Sequence, residues 1–245
     1  IVGTDELALI DPGSPWPEEQ ERLDQFVREL ADEGRRPRCV LLSHHHRDHV
    51  GGALEAGRRL GIPVLASAQT AARVPGATGS LTDGSLIELG GARPMRLRAV
   101  LTEGHASGHL CFLDEGSRAL FAGDMVAGGT TVVIDPPEGR LDDYLASLRR
   151  LRRLGVGTLY PAHGFAIPNG PAKLAEYEEH RLARLRQVHE ALVAGVRDLP
   201  GLLASVYADT PAWLHPVAER SALASLLELQ ARGQAVRDGQ RWSAA

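Results

Sequence analysis

The chain has 245 residues, with 27 Lys+Arg against 31 Asp+Glu for a formal charge of −4, so nothing marks it as a strongly basic nucleic-acid binder. A hydrophobic fraction of 43% excludes intrinsic disorder, and two cysteines are too few for a disulfide scaffold. No apolar run approaches the ~18 residues of a membrane span. Ile1-Val2-Gly3-Thr4 opens in strand-like sequence with neither an initiator Met nor a leader pattern. That opening fits a cytoplasmic protein, which is the expectation here, or a chain without its upstream residues. Leu7 to Ile10 reads as a strand ending at the turn Asp11-Pro12-Gly13. Residues 17–33 read as a helix, with Leu23, Phe26, Val27 and Leu30 on one stripe and Gly34 as the stop. Cys39 to Leu42 is a short apolar run expected to be a strand buried on both faces. Gly51 to Leu60 reads as a helix and Ile62 to Ala66 as another buried strand.

The middle third changes rhythm. Leu86 to Leu89, Met95 to Leu101, Leu110 to Leu113 and Ala119 to Ala122 are short strands separated by Gly/Asp turns. A helix is expected over Leu141 to Leu154 and a last strand over Thr158 to Tyr160. Strands and helices mixed in this order imply a layered α/β sandwich. From residue 171 the chain reads as helical, with Leu174, Tyr177, Arg181, Leu185, Val188 and Leu192 on one stripe. A short helix after Pro200-Gly201, a helix near Val217 to Arg232 and an Asp-Gly hairpin signal at 235–242 complete it. This tail reads as a small winged-helix-like appendage. Residues 170–245 hold nine basic and nine acidic side chains, so charge does not mark it as a nucleic-acid-binding wing. The expected division is a catalytic domain over 1–170 and a helical, winged-helix-like region over 171–245. Cys39 and Cys111 sit inside apolar runs and read as buried structural thiols.

Five of the ten histidines fall in short polar contexts at strand ends. Ser43-His44-His45-His46-Arg47-Asp48-His49 follows the Cys39 run. Side chains alternate in an extended segment, so His44 and His46 project to one side. Asp48 and His49 fall on the turn into the next helix. Thr102-Glu103-Gly104-His105, Gly123-Asp124 and Pro161-Ala162-His163-Gly164 each follow another strand. Imidazole nitrogen and carboxylate oxygen are ligands for zinc and related metals, and strand ends are where α/β sheets gather their sites.

The His-x-His-x-Asp-His run, the later His, the Gly-Asp and the final His resemble the five-motif signature of the metallo-β-lactamase superfamily of hydrolases. The resemblance implies an αβ/βα four-layer sandwich with the site at one edge of two sheets. It implies one metal held by His44, His46 and His105 and a second held by Asp48, His49 and His163, with Asp124 bridging. The sequence is most similar to the β-lactamase-like protein 2 branch, whose animal member is a mitochondrial endoribonuclease, and more distantly to glyoxalase II. Val2-Gly3-Thr4, Gly128 to Val132, Asp142-Asp143-Tyr144, Tyr160 to Gly164, His180-Arg181, Tyr207 to Pro211 and Leu214-His215 carry that likeness. One departure is Glu103, where relatives often have Pro; a small effect on the loop is expected.

The chemistry expected of this ligand set is hydrolytic. Two divalent cations about 3.5–4 Å apart share a water and lower its pKa towards ~7. The bridging hydroxide attacks an ester or thioester carbonyl or a phosphodiester, and the cations stabilise the oxyanion. Asp48 and Asp124 are the expected catalytic carboxylates, the first orienting the hydroxide and the second holding the metals together. Zinc is the expected metal, with iron or manganese as alternatives. His109 is expected to support a ligand or border the substrate. Thr130, Thr131, His180 and Arg181 are candidate substrate contacts, a buried interlayer hydrogen bond being the competing role for the last two. His45 reads as structural. Arg149, Arg150, Arg152 and Arg153 read as a solvated face rather than an RNA patch. Three functions compete: hydrolysis of a small acyl or thioester substrate, metal-dependent cleavage of single-stranded RNA, and a non-catalytic metal-binding interaction module. The intact ligand set argues against the last.

Overall fold

The computed structural model describes residues 1–77, 80–129 and 131–245. In chain order the elements are β1 (Val2–Gly3), β2 (Glu6–Ile10), α1 (Pro17–Asp32), β3 (Arg36–Leu41), α2 (Arg47–Val50), α3 (Ala53–Leu60), β4 (Val64–Ser67), α4 (Ala68–Arg73) and β5 (Ser80–Leu81). They continue with β6 (Leu86–Leu89), β7 (Met95–Leu101), β8 (Leu110–Asp114), β9 (Leu120–Gly123), α5 (Leu141–Arg153) and β10 (Leu159–Pro161). The C-terminal part holds α6 (Gly170–Val193), α7 (Leu199–Val206), a 3-10 turn at Ala212–Leu214, α8 (His215–Ala231), β11 (Ala235–Asp238) and β12 (Arg241–Ala244).

The first sheet runs β1-β2-β3-β4-β5, and the second runs β10-β9-β8-β7-β6. In the first, β2, β3, β4 and β5 are parallel, which helical crossovers make possible. In the second, β6 to β9 form an antiparallel meander, and β10 returns parallel to β9 after α5. Period-2 alternation sends neighbouring residues to opposite faces. Cys39 and Leu41 of β3 thus meet Leu97, Ala99, Leu110 and Phe112 of the second sheet in the layer between the sheets. Val40 and Leu42 face the other way, with Leu9, Val27 and Ala53 under α1 and α3. On the far side, Cys111, Leu113 and Leu120 pack under Tyr144, Leu148 and Leu151 of α5 and Leu174 and Tyr177 of α6. These three cores make the expected four-layer αβ/βα sandwich. A fourth core joins α6, α7, α8 and the β11–β12 hairpin around Leu192, Leu202, Leu226 and Trp242.

The helix starts follow from local chemistry. Asn169 Oδ1 accepts the Ala172 N–H at 3.2 Å, and Asp198 Oδ1 accepts the Gly201 N–H at 2.9 Å, capping α6 and α7. Two expectations change. Phe26, read as part of the buried stripe of α1, is half exposed, and Gln20 is buried in its place. The amide of Gln20 donates to the Ser14 carbonyl, which satisfies it in that buried position. The sequence reading also had no counterpart to α4 and β5. The first is a helix of only 6 residues, started by Ser67 Oγ accepting the Thr70 N–H at 3.2 Å.

Candidate metal centre

Four strand ends deliver the polar residues to one edge of the sandwich: β3 leads to 43–49, β7 to 102–109, β9 to Asp124 and β10 to His163. A fifth, β2, delivers Asp11 with a φ of +45°, strained for a residue with a side chain. Asp11 was read as a turn residue only. Its Oδ1 accepts the Ser43 N–H at 2.7 Å, and its Oδ2 accepts Ser43 Oγ at 2.5 Å and His49 Nδ1 at 2.9 Å. Gly13 allows this corner to close, because a Cβ there would sit 1.7 Å from the Asp48 carbonyl oxygen.

The tautomers follow from these bonds. Ser43 Oγ gives its single proton to Asp11, so at 2.9 Å it accepts from His44 Nδ1, and the lone pair of His44 lies on Nε2. His105 Nδ1 donates to the Val133 carbonyl at 2.8 Å, which likewise leaves its Nε2 lone pair free. Those two Nε2 atoms stand 2.9 and 3.0 Å from His46 Nδ1. A proton on His46 Nδ1 satisfies one of them at most, so imidazole lone pairs converge without enough protons to join them. A cation resolves this arrangement and the donor set suits one. The three ligand atoms of His44, His46 and His105 lie within 4.8 Å of one another. Burial first, and the neighbouring imidazoles second, push the His44 pKa far down; burial also lowers that of His105. Both rings are neutral, the state a metal ligand requires.

A second group, Asp48, His49 and His163, meets the same spacing. Asp48 Oδ2 is 3.2 Å from His163 Nε2 and 3.7 Å from His49 Nε2. Asp124 lies between the groups. Its Oδ2 is 3.5 Å from His105 Nε2, and its Oδ1 is 3.5 Å from His49 Nε2 and 3.6 Å from His163 Nε2. His49 Nε2 and Asp124 Oδ1 are buried without a hydrogen-bond partner among the described residues. Burial opposes charge on His49, but the hydrogen bond to Asp11 and the nearby Asp124 carboxylate outweigh it and raise its pKa to about 10. Asp124 is held down at about 2 against its burial by His49 and His105.

All seven expected ligand residues therefore meet at one edge. The expected substrate contacts divide. His109 is fully buried, its Nε2 accepting the Asp124 N–H at 3.1 Å and its Nδ1 bonded to Thr102 Oγ1 at 2.9 Å. It orients Asp124 and does not border substrate, which corrects that part of the expectation. Arg181 is also buried, 5.5 Å over the Tyr144 ring and bonded to Thr131 Oγ1 at 3.1 Å and to the Val132 carbonyl. It fastens α6 to the 131–140 segment, so the interlayer role replaces substrate contact. Thr131 and His180 are exposed and line a cavity of about 160 Å³ with Glu176 and Tyr177. Thr130 lies outside the described residues. Glu103 closes its loop by accepting the Gly108 N–H at 3.1 Å, while its carbonyl accepts Ser147 Oγ at 2.8 Å. Arg149 and Arg152 pair with Glu178, and Arg150 pairs with Asp83.

Comparison with known proteins identifies the family and the C-terminal domain. The sequence profile of the metallo-beta-lactamase superfamily matches residues 1–163, and that of the beta-lactamase associated winged helix domain matches 200–242. The lactamase-like protein adaB of Aspergillus niger is 35% identical over 232 residues, covering 86% of this chain and 68% of that one. An atrochrysone carboxyl ACP thioesterase of Aspergillus chevalieri is 37% identical over 194 residues, covering 78% of this chain and 59% of its own length. Among solved structures, a metallo-beta-lactamase family protein of Thermus thermophilus superposes with a TM-score of 0.77 at 25% identity, covering 99% of this chain and 91% of that one. A beta-lactamase domain protein of Burkholderia ambifaria gives a TM-score of 0.80 at 22% identity over 98% of this chain and 82% of its own, a likeness of fold. With its sandwich, its edge cluster of histidines and aspartates and its C-terminal winged helix, the chain belongs to the metallo-beta-lactamase superfamily of hydrolases.

Proposed function

We propose that this hydrolase is a dinuclear metal thioesterase, with zinc as its metal. The observation that carries the reading is the split of the Asp124 carboxylate. One oxygen faces the His44/His46/His105 group and the other faces the His49/His163 side, as a bridge between two cations requires. Cations bound there supply Lewis acidity to the acyl oxygen and a nucleophilic water at neutral pH. The chain's own part is orientation and proton handling. Asp11, Ser43 and Val133 hold the ligand tautomers, and His109 aims Asp124. Asp48, the most exposed of the carboxylates, would take the proton of the attacking water as its oxygen adds to the carbonyl and pass it to the departing thiolate as the C–S bond breaks.

The thioester comes from the relatives: 2 proteins named atrochrysone carboxyl ACP thioesterase are 37% and 36% identical to this chain. The pairing of the α5 arginines with Glu178 and Asp83 favours an acyl substrate over single-stranded RNA. The finer likeness to the β-lactamase-like protein 2 branch rests on the sequence stretches quoted above, and it keeps RNA as the substrate to test beside the thioester. The catalytic unit is taken as residues 1–170 and the helical, winged-helix-like region as 171–245.

The test offers the zinc-loaded chain an acyl-pantetheine thioester, with thiol release followed, and in parallel a fluorogenic single-stranded RNA. Thiol release that stops on chelation supports the reading. Two bound ions with no thiol release would overturn it; RNA cleavage falling steeply with salt would assign the phosphodiester instead.

A further inference from the structure

His45 sits between two imidazoles that face the metal centre, yet its own Nε2 lies 3.3 Å from Glu138 Oε2. Glu138 comes from the segment between β9 and α5. Its Oε1 accepts the Ser107 N–H at 3.1 Å and stands 3.2 Å from the Arg73 guanidinium. One carboxylate thus gathers the histidine run, the end of α4, the loop that carries His105 and its own segment. That segment grips the His105 loop at two further points. Val133 O accepts from His105 Nδ1 at 2.8 Å, and the Arg140 N–H donates to Gly104 O at 2.9 Å.

This matters because His44 and His46 follow a strand of the first sheet, and His105 follows a strand of the second. Among the described residues no strand ladder spans the two sheets. On one side the Leu110 N–H donates to the Ser43 carbonyl at 2.8 Å. On the other side stands the His45–Glu138–Ser107 chain. Two ties flanking the three imidazoles fix both their separation and their tilt, which one tie cannot do. His45, His46 and Glu138 also offer ligand atoms within 4.8 Å of one another. The Arg73 cation on Glu138 opposes a further metal ion there, so a latch is the better account.

We propose that Glu138 is a positioning residue which, through His45 and the Ser107 N–H, sets the geometry and metal affinity of the His44/His46/His105 group. The proposal rests on those three histidines being ligands.

The test titrates the full chain with zinc against a chromophoric chelator and records the visible spectrum after cobalt(II) loading. Glu138→Ala and His45→Ala should each weaken the tightest site by about 10–100-fold, the range for losing a partner that orients a ligand. Each should shift the cobalt bands, and the double variant should be no weaker than either single one. Arg73→Ala should keep the wild-type affinity of the tightest site, since the His45–Glu138–Ser107 chain stays intact. Glu138→Gln keeps the Ser107 bond and loses the charge, so it should move the bands part of the way; it carries the test where the alanine variant does not fold. Unchanged affinity and spectrum in these variants, with wild type binding two ions, would overturn the latch alone. So would the loss of a third ion on Glu138→Ala, which would make the cluster a metal site. A wild-type chain that takes up no ion would overturn the latch and the proposed function together.

Discussion

Asp11 accepts a 2.9 Å hydrogen bond from His49 Nδ1 and, through Ser43 Oγ, also holds His44, so one carboxylate orients a ligand candidate on each side of Asp124. Asp11→Asn replaces one acceptor oxygen with an NH2 donor, which at the Oδ2 position faces both Ser43 Oγ and His49 Nδ1 and at the Oδ1 position faces the Ser43 N–H. Zinc affinity should fall by about 10–100-fold at both positions. Chelator competition reads this, and a loss confined to one position would separate Asp11 from the other.

His46→Ala and Asp124→Asn should each reduce thioester turnover by about a thousandfold or more, the scale set by loss of transition-state electrostatics. Both should leave the far-UV circular dichroism unchanged. His46 and Asp124 are delivered by loops at strand ends, while the cores under the sheets lie elsewhere. Retained turnover in either variant would contradict the ligand assignment.

Metal loading should be uneven with pH. His49 in the metal-free chain has its pKa raised to about 10, so at neutral pH an ion entering beside Asp48 and His163 displaces a proton. Affinity at that position should rise about tenfold per pH unit up to that pKa, by linkage. His44 and His105 are neutral through burial, so proton competition from them at the first position is absent near neutrality. At a fixed, buffered free zinc concentration between the affinities of the two positions, stoichiometry should climb from about one to about two ions per chain between about pH 6 and 8. Calorimetry in buffers of different ionisation enthalpy would count the released proton.

Burial pushes the Cys39 thiol up to about 11 and Cys111 up to about 12. Neither should react with a disulfide reagent at about pH 8, where the thiolate fraction is small and access is closed. Both should react after denaturation. Fast labelling of the native chain would contradict the packing between and beneath the sheets.

Gly104 has a φ of +118°, and a Cβ there would lie 2.2 Å from the Tyr144 backbone nitrogen. Gly104→Ala should therefore cost about 2–4 kcal/mol, combining overpacking with backbone strain. Thermal melting should show a drop of about 5–12 °C in Tm. Because the same loop carries His105, zinc affinity should fall with it.

The ligand set was legible because its residues cluster within short motifs, each placed just after an apolar strand. Their supports were not, because parallel pairing and loop closure create them. Asp11 reaches Ser43 only because Ile10 of β2 stands opposite Leu41 of β3. Glu138 is separated from His45 by most of a sheet, and no local pattern links the two. The burial of Arg181 was legible in its place on the apolar stripe of α6, but its partners Thr131 and Val132 lie on another layer. Gln20 misled the reading of α1 because an amide that finds a carbonyl can occupy a position the apolar pattern assigns to carbon.

The helix α5 presents different residues to different cores. Tyr144, Leu148 and Leu151 belong to the sandwich, whereas Leu141 and Leu145 belong to the core shared with α7, α8 and the hairpin. Excising everything after α6 would leave Leu141 and Leu145 with only the α6 side of their cover, Leu185 and Val188, and expose a greasy stripe beside the loop that carries His105. The two halves should accordingly melt in a single calorimetric transition, and a truncated chain should self-associate instead of surviving as an independent enzyme.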